Sequence, residues 1–72
     1  AGIGEVTESG GRILLYFDKK PNMENVSRVM EENRGKLLFN AGERPYLALR
    51  EGFLKNKNDT EKLKKLLKDL KN

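Results

Sequence analysis

The sequence predicts an α+β domain of order ββαββα, a four-stranded, largely antiparallel sheet with two helices packed on one face. Three observations predict it. Residues 12–17, 36–40 and 46–50 are short, nearly continuous apolar runs bounded by turn signals, as well-covered strands are. Residues 23–33 and 63–70 place apolar side chains at helical spacing, and glycine- and proline-bearing turns separate the segments. The 72 residues form a single domain, 1–72, with a thin core, because so small a domain buries only about 60% of the surface its unfolded chain exposes.

The first segment, Ile3 to Glu8, is an irregular strand. Under strict alternation Ile3 and Val6 fall on opposite faces, so a bulge or a late strand start is expected. Ser9-Gly10-Gly11 is a hairpin turn, since glycine reaches positive φ without steric cost. Arg12 to Phe17 is the strongest strand. Ile13, Leu15 and Phe17 point one way and Leu14 and Tyr16 the other, so both of its faces are expected to be covered.

Pro21 breaks the strand pattern and Asn22 can cap a helix by accepting from a first-turn amide. Met23, Val26, Val29, Met30 and Asn33 share a helical face, Glu24 and Arg28 form an i,i+4 pair, and Gly35 is a natural stop. A second hairpin follows, with strands over residues 36–40 and 46–50. Pro45 suits the first residue of a strand, because it has no amide hydrogen to give the ladder. Phe53 and Leu54 dock a connector on the core. Asn58 with Glu61 resembles a capping box, and Leu63, Leu66, Leu67 and Leu70 line one stripe of a final helix. Strand order does not follow from this pattern.

The charge is unevenly placed. Residues 55–72 hold seven lysines against Asp59, Glu61 and Asp69, whereas residues 1–54 hold eight basic and eight acidic side chains. The whole net charge of +4 therefore sits on the last segment. A basic helix suits nucleic acid or an acidic protein surface; equally, it is a lysine face kept for solubility. The candidate contact residues are Lys62, Lys64, Lys65, Lys68 and Lys71, with Tyr46 and Arg50. Tyr46 shares parity with Ala48 and Arg50 on the less apolar strand face, where a ring could stack on a base.

Catalytic constellations are missing from the inventory. The chain has no histidine and no cysteine, so the commonest metal ligand, the thiolate site and the neutral-pH proton carrier are all unavailable. Ser9 and Ser27 have no histidine to activate them. Glu5, Glu8, Asp18 and Glu43 fall on turns or strand ends, and Glu31-Glu32 on the last helical turn, where water keeps carboxylates ordinary. Gly2-Ile3-Gly4 and Gly10-Gly11 lead into strands, unlike the strand–glycine–helix order of a dinucleotide fingerprint. The expectation is a non-enzymatic domain with no catalytic, cofactor or metal site and no small-molecule substrate. No apolar run approaches the roughly 18 residues of a membrane span and no signal segment opens the chain. A cytoplasmic setting without membrane partners is expected.

Gly2-Ile3, the Gly10-Gly11 turn, the hydrophobic return strand Arg12 to Phe17, the Pro21-Asn22 helix start, the hairpin from Lys36 to Arg50 and the charged helix from Glu61 to Leu70 together carry a resemblance. In order and spacing the chain resembles the C-terminal regulatory domain of bacterial transcription-repair coupling factor. Family members have further helices before this region, with an Asp-Arg-Phe-Gly stretch, which this sequence lacks. The resemblance therefore implies a fragment of the C-terminal domain of a larger multidomain protein, an ATP-dependent DNA translocase. It implies that the domain is not the motor. Its expected role is to pack against the parent's N-terminal recruitment module, masking the surface that recruits the excision-repair damage-recognition protein. No contact residue is carried over, since the family's interdomain contacts lie largely in the absent helices. The alternative expectation is a small basic domain that binds DNA or other nucleic acid through its lysine-rich helix.

Overall fold

A computed structural model describes residues 2–50, 53 and 59–71. The elements follow the expected order: β1 (Ile3–Ser9), β2 (Arg12–Phe17), α1 (Met23–Glu32), β3 (Leu37–Asn40), β4 (Tyr46–Leu49) and α2 (Asp59–Lys71). The four strands make one sheet of order β1-β2-β4-β3, and every neighbouring pair is antiparallel. The two hairpins thus meet through β2 and β4, leaving β1 and β3 as edges.

Local chemistry explains each junction. Gly10 and Gly11 have φ of 59° and 81°, the paired positive values that a two-residue type I′ hairpin needs. The register of β1 on β2 shifts between Ile3 and Glu5, which is the expected bulge. It returns Ile3 and Val6 to the same face, opposite Phe17 and Leu15. The bulged Gly4 lies against Asp18 so closely that a Cβ there would sit 2.8 Å from the Asp18 Cβ, a contact only glycine avoids. Asn22 caps α1 as expected, its Oδ1 accepting from the Glu24 amide at 2.9 Å. Arg28 donates to Asn25 Oδ1, and among the described residues the anticipated Glu24–Arg28 ion pair is not formed. Past α1, Gly35 takes a φ of 74°. Pro45 precedes β4, and its carbonyl accepts from the Phe17 amide at 3.1 Å.

Strand parity decides where the core sits. Leu15, Phe17, Leu37, Leu47 and Leu49 project from one face and join Val26 and Val29 of α1 with Leu66 and Leu70 of α2. Ile3, Ile13, Phe39, Met30, Leu63 and Leu67 pack around them. Phe17 and Phe39 meet edge to face at 6.0 Å, the arrangement ring quadrupoles favour. Phe53 is buried in this cluster, as anticipated for the connector; Leu54 and the Asn58 cap lie outside the described residues. Both helices therefore cover one face, with α1 toward β3 and α2 toward β1.

The opposite face departs from expectation. Leu14 and Tyr16 are only half-buried, because no helix lies over them. Their shelter comes from neighbours in the sheet. The covering foreseen for both faces of β2 exists on one.

Candidate functional site

Register arranges the helix-free face in three rows across the strands. The first is Glu5, Tyr16, Tyr46 and Asn40; the second is Thr7, Leu14, Ala48 and Leu38. Continuing each ladder by one residue gives the third. Arg12 follows Ile13, whose partner is Leu49, so Arg12 stands beside Arg50. Arg50 in turn donates its amide to the Lys36 carbonyl at 2.8 Å, so Lys36 completes the row. Three cations thus gather at one end of three adjacent strands, Arg12 in β2 and Arg50 and Lys36 one residue outside β4 and β3.

The two ends of this face differ in charge. At the aromatic end, Tyr16 and Tyr46 pack with centroids 5.3 Å apart and planes tilted 59°. Arg44, from the loop between β3 and β4, lies 4.0 Å above the Tyr16 ring and pairs with Glu5, so charge is balanced there. At the cationic end, Arg12, Lys36 and Arg50 are all exposed, and none forms an ion pair with a carboxylate among the described residues. Between the ends runs the aliphatic row, whose outer member, Leu38, is 48% exposed.

Of the residues singled out from sequence, Tyr46 and Arg50 fall on this face. The five lysines lie elsewhere, on α2. Lys64, Lys65, Lys68 and Lys71 share the side of α2 away from Leu66 and Leu70, and all are exposed. Several are already engaged: Lys65 lies 3.7 Å from Glu32 of α1 and 3.8 Å from Asp69, Lys64 lies 3.8 Å from Glu61, and Lys62 sits 5.2 Å from the Phe53 ring centre. The structure therefore separates the sequence candidates into two surfaces. Sequence reasoning did not single out Arg12, Lys36, Leu14 or Leu38. Parity put Leu14 and Leu38 on the second face, but grouping the cations needs the strand order.

A cleft of about 770 Å³ opens at the aromatic end, lined by Tyr16, Pro21, Met23, Phe39, Lys19 and Arg44 among others. Its rim mixes carboxylates and cations, with Glu5, Asp18 and Glu43 beside Lys19, Lys20 and Arg44. Among the described residues no group of three or more carboxylates gathers in a way that could hold a metal ion, and no helix is long and apolar enough to cross a membrane. No protein-family model, curated protein or solved structure matches the chain.

Proposed function

We propose that this domain is a non-catalytic docking module of a transcription-coupled DNA-repair translocase, and that it masks the surface recruiting the excision-repair damage-recognition protein. The observation that carries the docking role is the helix-free sheet face. It presents Leu38, 48% exposed, with the half-buried Leu14, Tyr16 and Tyr46 around the buried Ala48, and no helix lies above them; apolar surface left open in this way suits an interaction site. The resemblance to the coupling-factor domain supplies the partner, the N-terminal recruitment module. Docking within one chain needs little intrinsic affinity, because linkage raises the effective concentration of the partner.

Titrating the isotope-labelled domain with the family's N-terminal recruitment module tests this. The expected result is weak, saturable shifts of the amides of Leu14, Leu38, Tyr46 and Ala48. Unchanged spectra at near-millimolar module, with the family's preceding helices restored to the domain, would remove the masking role. The second reading, nucleic acid on α2, is favoured by the alignment of Lys64, Lys65, Lys68 and Lys71 on one side of the helix. It ranks second because Lys64 and Lys65 already lie beside carboxylates of this chain. If four lysines met phosphates, log K would fall with log salt at a slope of about −3.6.

A further inference from the structure

We infer that the partner of the open sheet face is an acidic protein surface, one that sets a row of carboxylates beside an aliphatic patch. This deepens the docking role proposed above and rests on it. Arg12 of β2 gathers with Arg50 and Lys36, one residue outside β4 and β3, at one end of three neighbouring strands, and neighbouring like charges repel. The free domain has no carboxylate of its own against that row among the described residues. An incoming anionic surface removes the repulsion and gains charge-assisted hydrogen bonds, to which the arginine forks bring two parallel donors each.

The adjoining row sets the rest of the partner's chemistry. Leu14 and Leu38, on either side of the buried Ala48, are aliphatic and can be dried by apolar side chains, but they offer no ring to a base. The tyrosines are poor base platforms as they stand. One face of the Tyr16 ring holds the Arg44 guanidinium at 4.0 Å, and Tyr46 is tilted 59° from it. A single strand of nucleic acid would find phosphate contacts at one end and no stacking surface beside them. A protein surface matches both rows at once. The asymmetry also orients it: carboxylates belong over Arg12, Arg50 and Lys36, and uncharged groups over the self-neutralised Arg44–Glu5 end.

A short synthetic amphipathic peptide with glutamates along one edge of a leucine stripe is a direct probe. Its glutamine counterpart and oligothymidylate serve as comparisons, all followed by amide shifts of the labelled domain. The acidic peptide is expected to shift Arg12, Leu14, Leu38, Ala48 and Arg50 and to spare α2. Glutamine in the peptide, or Arg12→Glu with Lys36→Glu and Arg50→Glu in the domain, should weaken binding by roughly tenfold or more. Should the reversed-charge domain fail to fold, the Gln set at the same positions is read instead, with a smaller loss in the same direction. Equal affinity for the glutamine peptide, shifts confined to α2, tighter binding of oligothymidylate on the same face, or no binding by the acidic peptide would each overturn the inference. The two proposals separate cleanly. A recruitment module that docks on the open face undiminished by the charge changes ends the acidic-partner inference and keeps the docking role. A module that does not bind, with the acidic peptide binding as expected, ends the masking role and keeps the partner chemistry.

Discussion

On the face of the sheet that carries the helices, Leu47 is 0% exposed and Leu15 1%; on the other, Leu38 remains 48% exposed, although it lies only one strand from Ala48. Both faces come from the same four strands, and both have apolar side chains at alternate positions. The difference lies in the supply of cover. The described chain has two helices, each with a narrow apolar stripe, and between them they close one face over its central strands, leaving Val6 of the edge strand β1 59% exposed. The second face keeps its apolar row without using it fully for folding. That residue choice is what the proposed docking role would use. The charges follow the same division. In the helix layer Lys65 lies beside Glu32 and Asp69, whereas Arg12, Lys36 and Arg50 on the open face remain without a carboxylate among the described residues.

The sharpest way to break this comparison is to truncate one leucine on each face. Leu47→Ala should cost about 2–5 kcal/mol, since the cavity left in a closed core relaxes poorly. A domain of this length holds only roughly 4–11 kcal/mol in total, so urea midpoints should fall steeply or the fold be lost. Leu38→Ala should change stability by about 0.5 kcal/mol or less while weakening any docking. Equal losses at the two positions would mean that the open face is part of the folding core.

The next largest effect concerns the bulge that puts Ile3 and Val6 of β1 on the same face. Gly4→Ala places a methyl 2.8 Å from the Asp18 Cβ and 3.1 Å from its Cα, and backbone cannot yield there as a flexible side chain would. A loss of about 1–3 kcal/mol is expected, with amide shifts concentrated at Ile3, Val6 and Asp18. Gly2→Ala, which meets nothing within 4 Å, is the matched control and should be near neutral. Smaller again is Asn22→Ala. It removes the oxygen that accepts from the Glu24 amide and should cost about 1 kcal/mol, read from the same urea curves and from loss of helical ellipticity.

Much of this fold was legible in the residues, and the limits have physical causes. The parity of Ile13, Leu15 and Phe17, the Gly10-Gly11 turn, the Asn22 cap and the Leu63-to-Leu70 stripe are local features, and each element formed where they indicated. The bulge at Gly4 was legible as a conflict between Ile3 and Val6. Strand order was not, because it depends on how the two hairpins meet through β2 and β4, a tertiary choice with no local signal. For that reason the site was half visible. Tyr46 and Arg50 could be placed on a less apolar face, but Arg12 and Lys36 are distant in sequence and join Arg50 only through the register. The lysines of α2 were conspicuous in sequence for the opposite reason, being crowded in one segment, although two of them lie beside carboxylates in the folded domain.

The smallest predicted effect tests that last contrast. Lys65 spans from α2 to Glu32 of α1 at 3.7 Å and to Asp69 at 3.8 Å, with both partners solvated, so screening and side-chain entropy offset most of the attraction. Lys65→Ala should therefore destabilise the domain by about 0.5 kcal/mol or less, and the difference should vanish in high salt. The same substitution also bears on the second face. A lysine tied into the helix layer takes no part in docking on the open sheet, so the affinity for the acidic peptide should be unchanged. A tenfold loss there would move the binding surface from the sheet to α2, and with it the explanation of why the chain carries its net charge on its last segment, residues 55–72.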